Sequence, residues 1–269
     1  WLMSDICVLG NFVADNSFYA KKLPITGQTV FGTGYQIGPG GKGSNQAIAA
    51  ARLGSKVNFF GKIGDDDNGK MAIELFKKNN IDQKTVFISK EYPTGVAGLM
   101  INKEDGTNAI IVCPGASMEI TKEEINKFSN LITSCKVFLT QLEIKLEVTL
   151  HALKLAKKGK AITILNPAPA IKIEDEFFKY IDFFTPNETE AEFYLGKKIV
   201  NYDDAKLAGD FFLDKGVKNS IITLGDKGAY FSNNEKNFSL PALDLKGKVL
   251  DTTGAGDAFS GALAAGLEK

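Results

Sequence analysis

Asp251-Thr252-Thr253-Gly254-Ala255-Gly256-Asp257-Ala258-Phe259-Ser260-Gly261 is the stretch from which the rest of the chain is read. Two glycines frame a small residue, and an acid follows them. Ala258 to Leu267 continues as small and apolar residues in a helical pattern. The glycines permit a sharp turn and a close approach of backbone to a ligand. A helix starting there leaves its first N–H groups pointing back at the turn, and its dipole adds positive potential. The result is a pocket for negative charge. Asp257, in the first helical turn, is placed to take a proton from a hydroxyl that then attacks a phosphoryl group. The same letters also suit an ordinary strand-to-helix turn with an acid at the helix start, so the remaining chain has to decide.

Composition narrows the choices. The 269 residues are 44% hydrophobic and 24% charged, an ordinary balance for a soluble globular protein. Its 32 basic and 32 acidic residues cancel, which argues against a nucleic-acid binder that relies on bulk charge. There is no apolar run long enough for a transmembrane helix. The start lacks the basic region and apolar core of a signal peptide, so the expected location is cytoplasmic. Cys7, Cys113 and Cys135 have neither paired nor metal-binding spacing and are expected to be small core residues. The only histidine, His151, lies in a helical pattern and reads as structural. Chemistry must therefore rest on carboxylates, amides and lysines.

Ile6-Cys7-Val8-Leu9-Gly10 has the apolar run of a buried strand. Thr29-Val30-Phe31 and Gly34-Tyr35-Gln36-Ile37 read as further short strands. Asp15, just past the end of the buried strand, is well placed for ligand contact, although a turn aspartate is an equally good reading of its position. Gly38, Gly40 and Gly43 match G-x-G-x-x-G without its expected context, and Gly43 follows Lys42 where a P-loop needs Ser or Thr. The stretch reads instead as a second glycine turn before a helix from Ala47 to Leu53, letting Lys42 and Asn45 face a polar ligand. Asp65-Asp66-Asp67 reads as helix-start acids in preference to a metal site. Two strands flanking Asp105-Gly106 give a hairpin signal.

After residue 114 helices and strands alternate, which predicts an α/β fold: a doubly wound, mostly parallel sheet with helices on both faces. Glu143, Asn166, Asn187, Glu190 and Thr223 gather at or just after strand ends, the edge where such sheets place their sites. The expected division is an α/β domain of residues 1–10, 38–92 and 115–269, with a small β-sheet of residues 11–37 and 93–114 acting as a lid.

Gly40-Gly41-Lys42-Gly43-Ser44-Asn45-Gln46-Ala47, Gln141-Leu142-Glu143, Asn166-Pro167-Ala168-Pro169, Pro186-Asn187-Glu188-Thr189-Glu190-Ala191-Glu192 and Asp251-Thr252-Thr253-Gly254-Ala255-Gly256-Asp257 together resemble the ribokinase family of carbohydrate kinases. The resemblance runs from Ile6 to Leu267. It implies an ATP-dependent kinase making the 5-phosphate of ribose or 2-deoxyribose, with a lid that forms a homodimer contact. Asp257 would be the base, and Gly254, Ala255 and Gly256 the backbone anion hole. Asp15, Gly41, Lys42, Asn45 and Glu143 would bind the sugar. Asn187 and Glu190 would act on the ATP phosphates and Mg²⁺, and Thr223 and Gly225 would line the nucleotide. Asp251 and the Thr253 carbonyl would hold a monovalent cation, usually potassium.

One position departs from the pattern. Ribokinases carry asparagine where this chain has Val13, and that asparagine contacts ring hydroxyls of ribose, whereas deoxyribokinases have an apolar residue there. Val13 therefore implies weaker discrimination for ribose and a preference for 2-deoxyribose. Family members also continue for several dozen residues past the equivalent of Lys269, and those residues help form the adenine pocket and cation site. The alternatives are a nucleoside or hexose kinase of the same superfamily, against which Gln141-Leu142-Glu143 and Lys42 speak, and a non-catalytic sugar-binding regulator, against which the intact Asp257 speaks.

Overall fold

The computed structural model describes residues 5–244, 247 and 252–269. In chain order the strands are β1 (Ile6–Leu9), β2 (Val13–Ala20), β3 (Gly34–Gly40), β4 (Val57–Gly64), β5 (Val86–Ser89), β6 (Thr94–Asn102), β7 (Asn108–Gly115), β8 (Val137–Thr140), β9 (Ile162–Leu165), β10 (Phe183–Phe184), β11 (Asn219–Thr223), β12 (Ala229–Asn233) and β13 (Asn237–Leu240). The helices are α1 (Lys42–Arg52), α2 (Asp67–Lys78), α3 (Lys122–Asn126), α4 (Ser129–Ser134), α5 (Leu146–Lys158), α6 (Glu188–Leu195), α7 (Tyr202–Asp214) and α8 (Ala255–Glu268).

Nine strands form one sheet in the order β13-β12-β11-β10-β9-β8-β1-β4-β5. It is parallel from β5 to β11, and β12 and β13 are antiparallel additions at one edge. Side-chain alternation along the central strands divides the core into two layers. Ile6 and Val8 of β1 join Val137 and Leu139 of β8 on one face, where they pack on Ala47, Ala50, Phe76 and Ala264 of α1, α2 and α8. Cys7, Leu9 and Phe138 face the other way, toward Val148, Ala152, Ala156, Ala208 and Phe212 of α5 and α7. The near-continuous apolar runs of these strands reflect burial on both faces.

A second, four-stranded sheet has the order β3-β2-β6-β7. β2 pairs antiparallel with β3 and parallel with β6, while β6 and β7 form the hairpin around Asp105-Gly106. Asp66 ties this sheet to the main one: it caps α2 by accepting from the Gly69 N–H (2.8 Å) and also accepts from the Thr94 N–H at the start of β6 (2.7 Å).

Several local expectations differ from the structure. Thr29-Val30-Phe31 is not a strand, and Phe31 is 96% exposed. Cys113 lies exposed on β7, unlike the buried Cys7 and Cys135, because β7 is an edge strand of the small sheet. α1 begins at Lys42, five residues before Ala47, because Asn11 caps it from outside. The Asn11 side chain accepts from the Gly43 N–H and its carbonyl from the Ser44 N–H. Over the apolar stretch of residues 181–186 only the two-residue strand Phe183–Phe184 forms. His151 is bonded to Asn126 at 2.7 Å, in keeping with a structural role.

Candidate active site

The site lies at the carboxyl edge of the parallel strands. β1 ends at Leu9, β8 at Thr140, β9 at Leu165 and β11 at Thr223. Asn11, Gln141 to Glu143, Asn166 and Asn187 follow at that edge. A cleft of about 300 Å³ opens there. Its walls include Val13 and Asp15 from β2, Gly41, Lys42 and Asn45 at the start of α1, and Glu143 beyond β8. Opposite stand Asn187, Glu190, Thr223 and the turn Thr253-Gly254-Ala255-Gly256-Asp257. Of the residues singled out from the sequence, Gly225 does not line the cleft; it starts the short 3₁₀ turn Gly225–Lys227 just past β11. Asp251 lies outside the described residues. Ala97, Leu99, Ile110 and Val112 of the small sheet complete the wall, so that sheet covers the cleft with apolar side chains.

Gly254 is the N-cap of α8 with φ 76°, a left-handed conformation that an L side chain adopts only under strain. The Ala255 N–H is taken by the Thr252 carbonyl at 3.1 Å. The next first-turn donors, on Gly256 and Asp257, have no acceptor one turn back within the helix.

Asp257 receives two amide donors. Asn45 Nδ2 lies 3.0 Å from Oδ2 and Gln46 Nε2 lies 3.0 Å from Oδ1. Burial pushes its carboxyl pKa up, against the pull of those donors and of Lys42. Lys42 bridges Glu143 through Nζ at 2.9 Å and through its backbone N–H at 3.2 Å. Burial works against the Lys42 charge, but Glu143, Asp257 and Glu190 outweigh it and raise its pKa. Asp15 is likewise raised, by burial and then by Glu143. Asn187 and Glu190 form a capping box at the start of α6, each side chain accepting from the other's N–H (2.8 and 2.9 Å). Burial raises the Glu190 pKa as well, with Asp257 adding to it. Four carboxyls, of Asp15, Glu143, Glu190 and Asp257, and the Lys42 ammonium thus line one cleft.

Of the polar layer beneath, sequence reading places Asn166 at the site edge but misses Gln46 and Gln141 as partners of the base. Gln46, Gln141 and Asn166 are buried and linked to Asp257 by hydrogen bonds. Gln46 and Gln141 sit inside motifs, yet no local signal distinguishes a buried amide that contacts a base from one that merely packs.

A glycine-capped helix start holding a half-buried carboxylate, at the open edge of a parallel sheet and under a second small sheet, defines a phosphotransferase that acts on a small alcohol. The pfkB family carbohydrate kinase model matches residues 3–269. The chain is 36% identical to the deoxyribokinase of Salmonella typhi over 97% of its own length and 84% of that protein's. It is 35% identical to the ribokinase of Staphylococcus aureus over 100% of its own length and 88% of that protein's. Arabidopsis thaliana ribokinase, solved in complex with ribose and ATP, superposes with a TM-score of 0.92 at 29% identity, over 99% of this chain and 86% of that one. The chain belongs to the pfkB family of carbohydrate kinases.

Proposed function

We propose that this protein transfers the γ-phosphate of ATP to the 5-hydroxyl of a pentose, ribose or 2-deoxyribose. The observation that carries the reading is the meeting, in one cleft, of Asp257 with the Asp15, Lys42, Asn45 and Glu143 set. Charged and amide groups in that number suit a polyol, which needs directional hydrogen bonds on several sides. Asp257 acts as the base; a carboxyl raised by burial has a pKa closer to working pH, which improves a general base. The first-turn N–H groups of α8 and its dipole receive the negative charge of the transferring phosphoryl group. The small sheet closes over the cleft and excludes water. The lid is assigned to the small sheet, whose strands β3 and β7 run to Gly40 and Gly115, a little past the expected bounds of 37 and 114, and the catalytic domain to the remainder.

Val13 favours 2-deoxyribose. A ribose hydroxyl facing its methyl groups would be buried without a partner, at a cost of about 1–3 kcal/mol.

Asn187, Thr223 and Gly225 are assigned to the nucleotide. The described residues include no cluster of three His, Cys, Asp or Glu side chains able to cage a metal. A magnesium ion that keeps water and nucleotide phosphates as ligands needs only one or two carboxylates. Glu190 fits, because its carboxyl is buried at the cleft wall and raised in the direction that a cation would reverse. When bound, the ion would neutralise charge on the nucleotide phosphates. Potassium is assigned to Asp251 and the Thr253 carbonyl on the family resemblance.

The dimer is assigned to the outer side of the small sheet, where Phe18, Tyr35 and Ile111 are 48%, 58% and 66% exposed. No helix among the described residues is long and apolar enough to cross a membrane. A cytoplasmic location accords with free Cys7, Cys113 and Cys135.

A panel of pentoses, hexoses and nucleosides with ATP and Mg²⁺, with and without potassium, tests the proposal. Pentose-dependent ADP formation is expected. Turnover of a nucleoside or hexose in preference to every pentose would refute it.

A further inference from the structure

The polar layer under Asp257 has a single direction of hydrogen-bond donation. Asn166 donates through Nδ2 to the Thr185 carbonyl at 2.9 Å, which turns its Oδ1 toward Gln46. Gln46 Nε2 then faces two acceptors, Asn166 Oδ1 at 3.1 Å and Asp257 Oδ1 at 3.0 Å. An amide NH₂ carries two hydrogens, and both are used. The opposite amide orientation would set the Gln46 carbonyl against two acceptors in a buried site, so its NH₂ must occupy this end. The far end, Oε1, accepts from Gln141 Nε2 at 2.6 Å. Gln141 Oε1 itself is buried without a hydrogen-bond partner among the described residues, so the side chain's bonding is spent on holding Gln46.

Gln46 is fully buried and does not line the cleft, whereas Asn45, its neighbour on α1, does. Gln46 therefore contacts the proposed base without contacting substrate. The backbones of α1 and α8 approach so closely that a Cβ on Gly261 would lie 2.5 Å from the Gln46 carbonyl oxygen. The amide and the carboxylate are thus carried on two helices locked together.

We propose that Gln46 is a positioning residue for phosphoryl transfer: its amide, fixed from two sides by Asn166 and Gln141, aims the Asp257 carboxylate at the acceptor hydroxyl. The inference rests on the kinase reading above. A carboxylate held only by Asn45, which lies in the cleft wall, would turn about its side-chain bonds, and a misaimed base loses rate without losing affinity. The charged groups that also act on Asp257 are Lys42 on α1, Glu143 beyond β8 and Glu190 on α6. They are spread around the cleft, so the donors from Asn45 and Gln46 are what fixes the direction of the carboxylate.

Gln46→Met keeps the length of the side chain and removes its donors. In the intact chain, kcat is expected to fall about 10- to 100-fold while KM for the pentose and for ATP stays within about threefold. A kcat within about threefold of wild type, or a rise in KM at unchanged kcat, overturns the inference. If Gln46→Met does not fold, Gln141→Met serves, since it removes only the donor to Gln46 Oε1; a kcat several-fold lower at unchanged KM supports the inference, and a wild-type kcat overturns it. A separate arm does not depend on turnover. The nitrogen-15 side-chain amide signal of Gln46, assigned by its loss in Gln46→Met, is expected to shift in Asp257→Asn; an unmoved signal overturns the inference. Absence of pentose turnover in the wild-type protein would instead remove the kinase reading, and the amide signal would still decide whether Gln46 engages Asp257.

Discussion

Replacing Val13 by asparagine is expected to move the sugar preference toward ribose. Val13 opens β2, is 4% exposed and lies on the cleft wall, two residues before Asp15 and therefore on the same face of the strand. Its backbone pairs with Gly40 on one side and Gly95 on the other, so the side chain has a fixed direction. Asparagine is close to valine in volume and reaches one bond further, toward the cleft that Val13 lines. It supplies a donor and an acceptor where valine supplies neither. If a ribose hydroxyl is unpaired against Val13 at a cost of about 1–3 kcal/mol, restoring its partner raises the ribose to 2-deoxyribose ratio of kcat/KM by about 5- to 150-fold. The assay is steady-state ADP formation with each sugar, for both proteins, with melting temperatures measured alongside. A ratio that changes by less than about twofold, or that moves toward 2-deoxyribose while the variant remains folded, refutes the reasoning.

Two further outcomes follow from the same geometry. Burial raises the carboxyls of Asp257, Glu190 and Asp15, so the acid limb of kcat/KM should lie above the ordinary aspartate value of about 4; activity is lost as pH falls through the raised value, and a flat profile down to about pH 4 would contradict this. Asp66→Ala should cost about 1–3 kcal/mol, read as a melting temperature several degrees lower, because it removes the α2 cap and the bond to Thr94. Burial opposes the Asp66 charge, but donors from Thr94 and Gly69 outweigh it and hold its pKa below the usual value. Its stabilising effect is therefore present above the ordinary aspartate range and lost as pH falls through the lowered value, and the gap between wild type and variant should close in acid. A gap that does not change with pH would contradict that linkage.

The parts of the fold legible in the sequence are those whose cause is local. β1 and β8 are apolar runs because both their faces are covered, and the Asp105-Gly106 hairpin declares itself through turn chemistry. The start of α1 is not legible, because Gly43 and Ser44 weaken the helix signal and its cap, Asn11, comes from another strand end more than thirty residues earlier. The meeting of Asp257 with Asn45 is approachable only through motif resemblance, since 212 residues separate them. Asn166 is placed at the site edge by its position after a strand, but the roles of Gln46 and Gln141 are not legible, because buried amides reveal them only through the partners that the fold gives them. Cys113 misleads for a related reason: apolar neighbours in an edge strand need not be covered.

Asp257→Asn keeps the shape of the proposed base and removes its basicity. Pentose-dependent ADP formation by this variant, set against wild type and combined with pentose binding measured by calorimetry, is expected to show kcat lower by about 10²- to 10⁴-fold with sugar affinity retained. Turnover at the wild-type rate would mean that the carboxylate at the glycine-capped end of α8 does not activate the alcohol, and the proposed mechanism would be wrong.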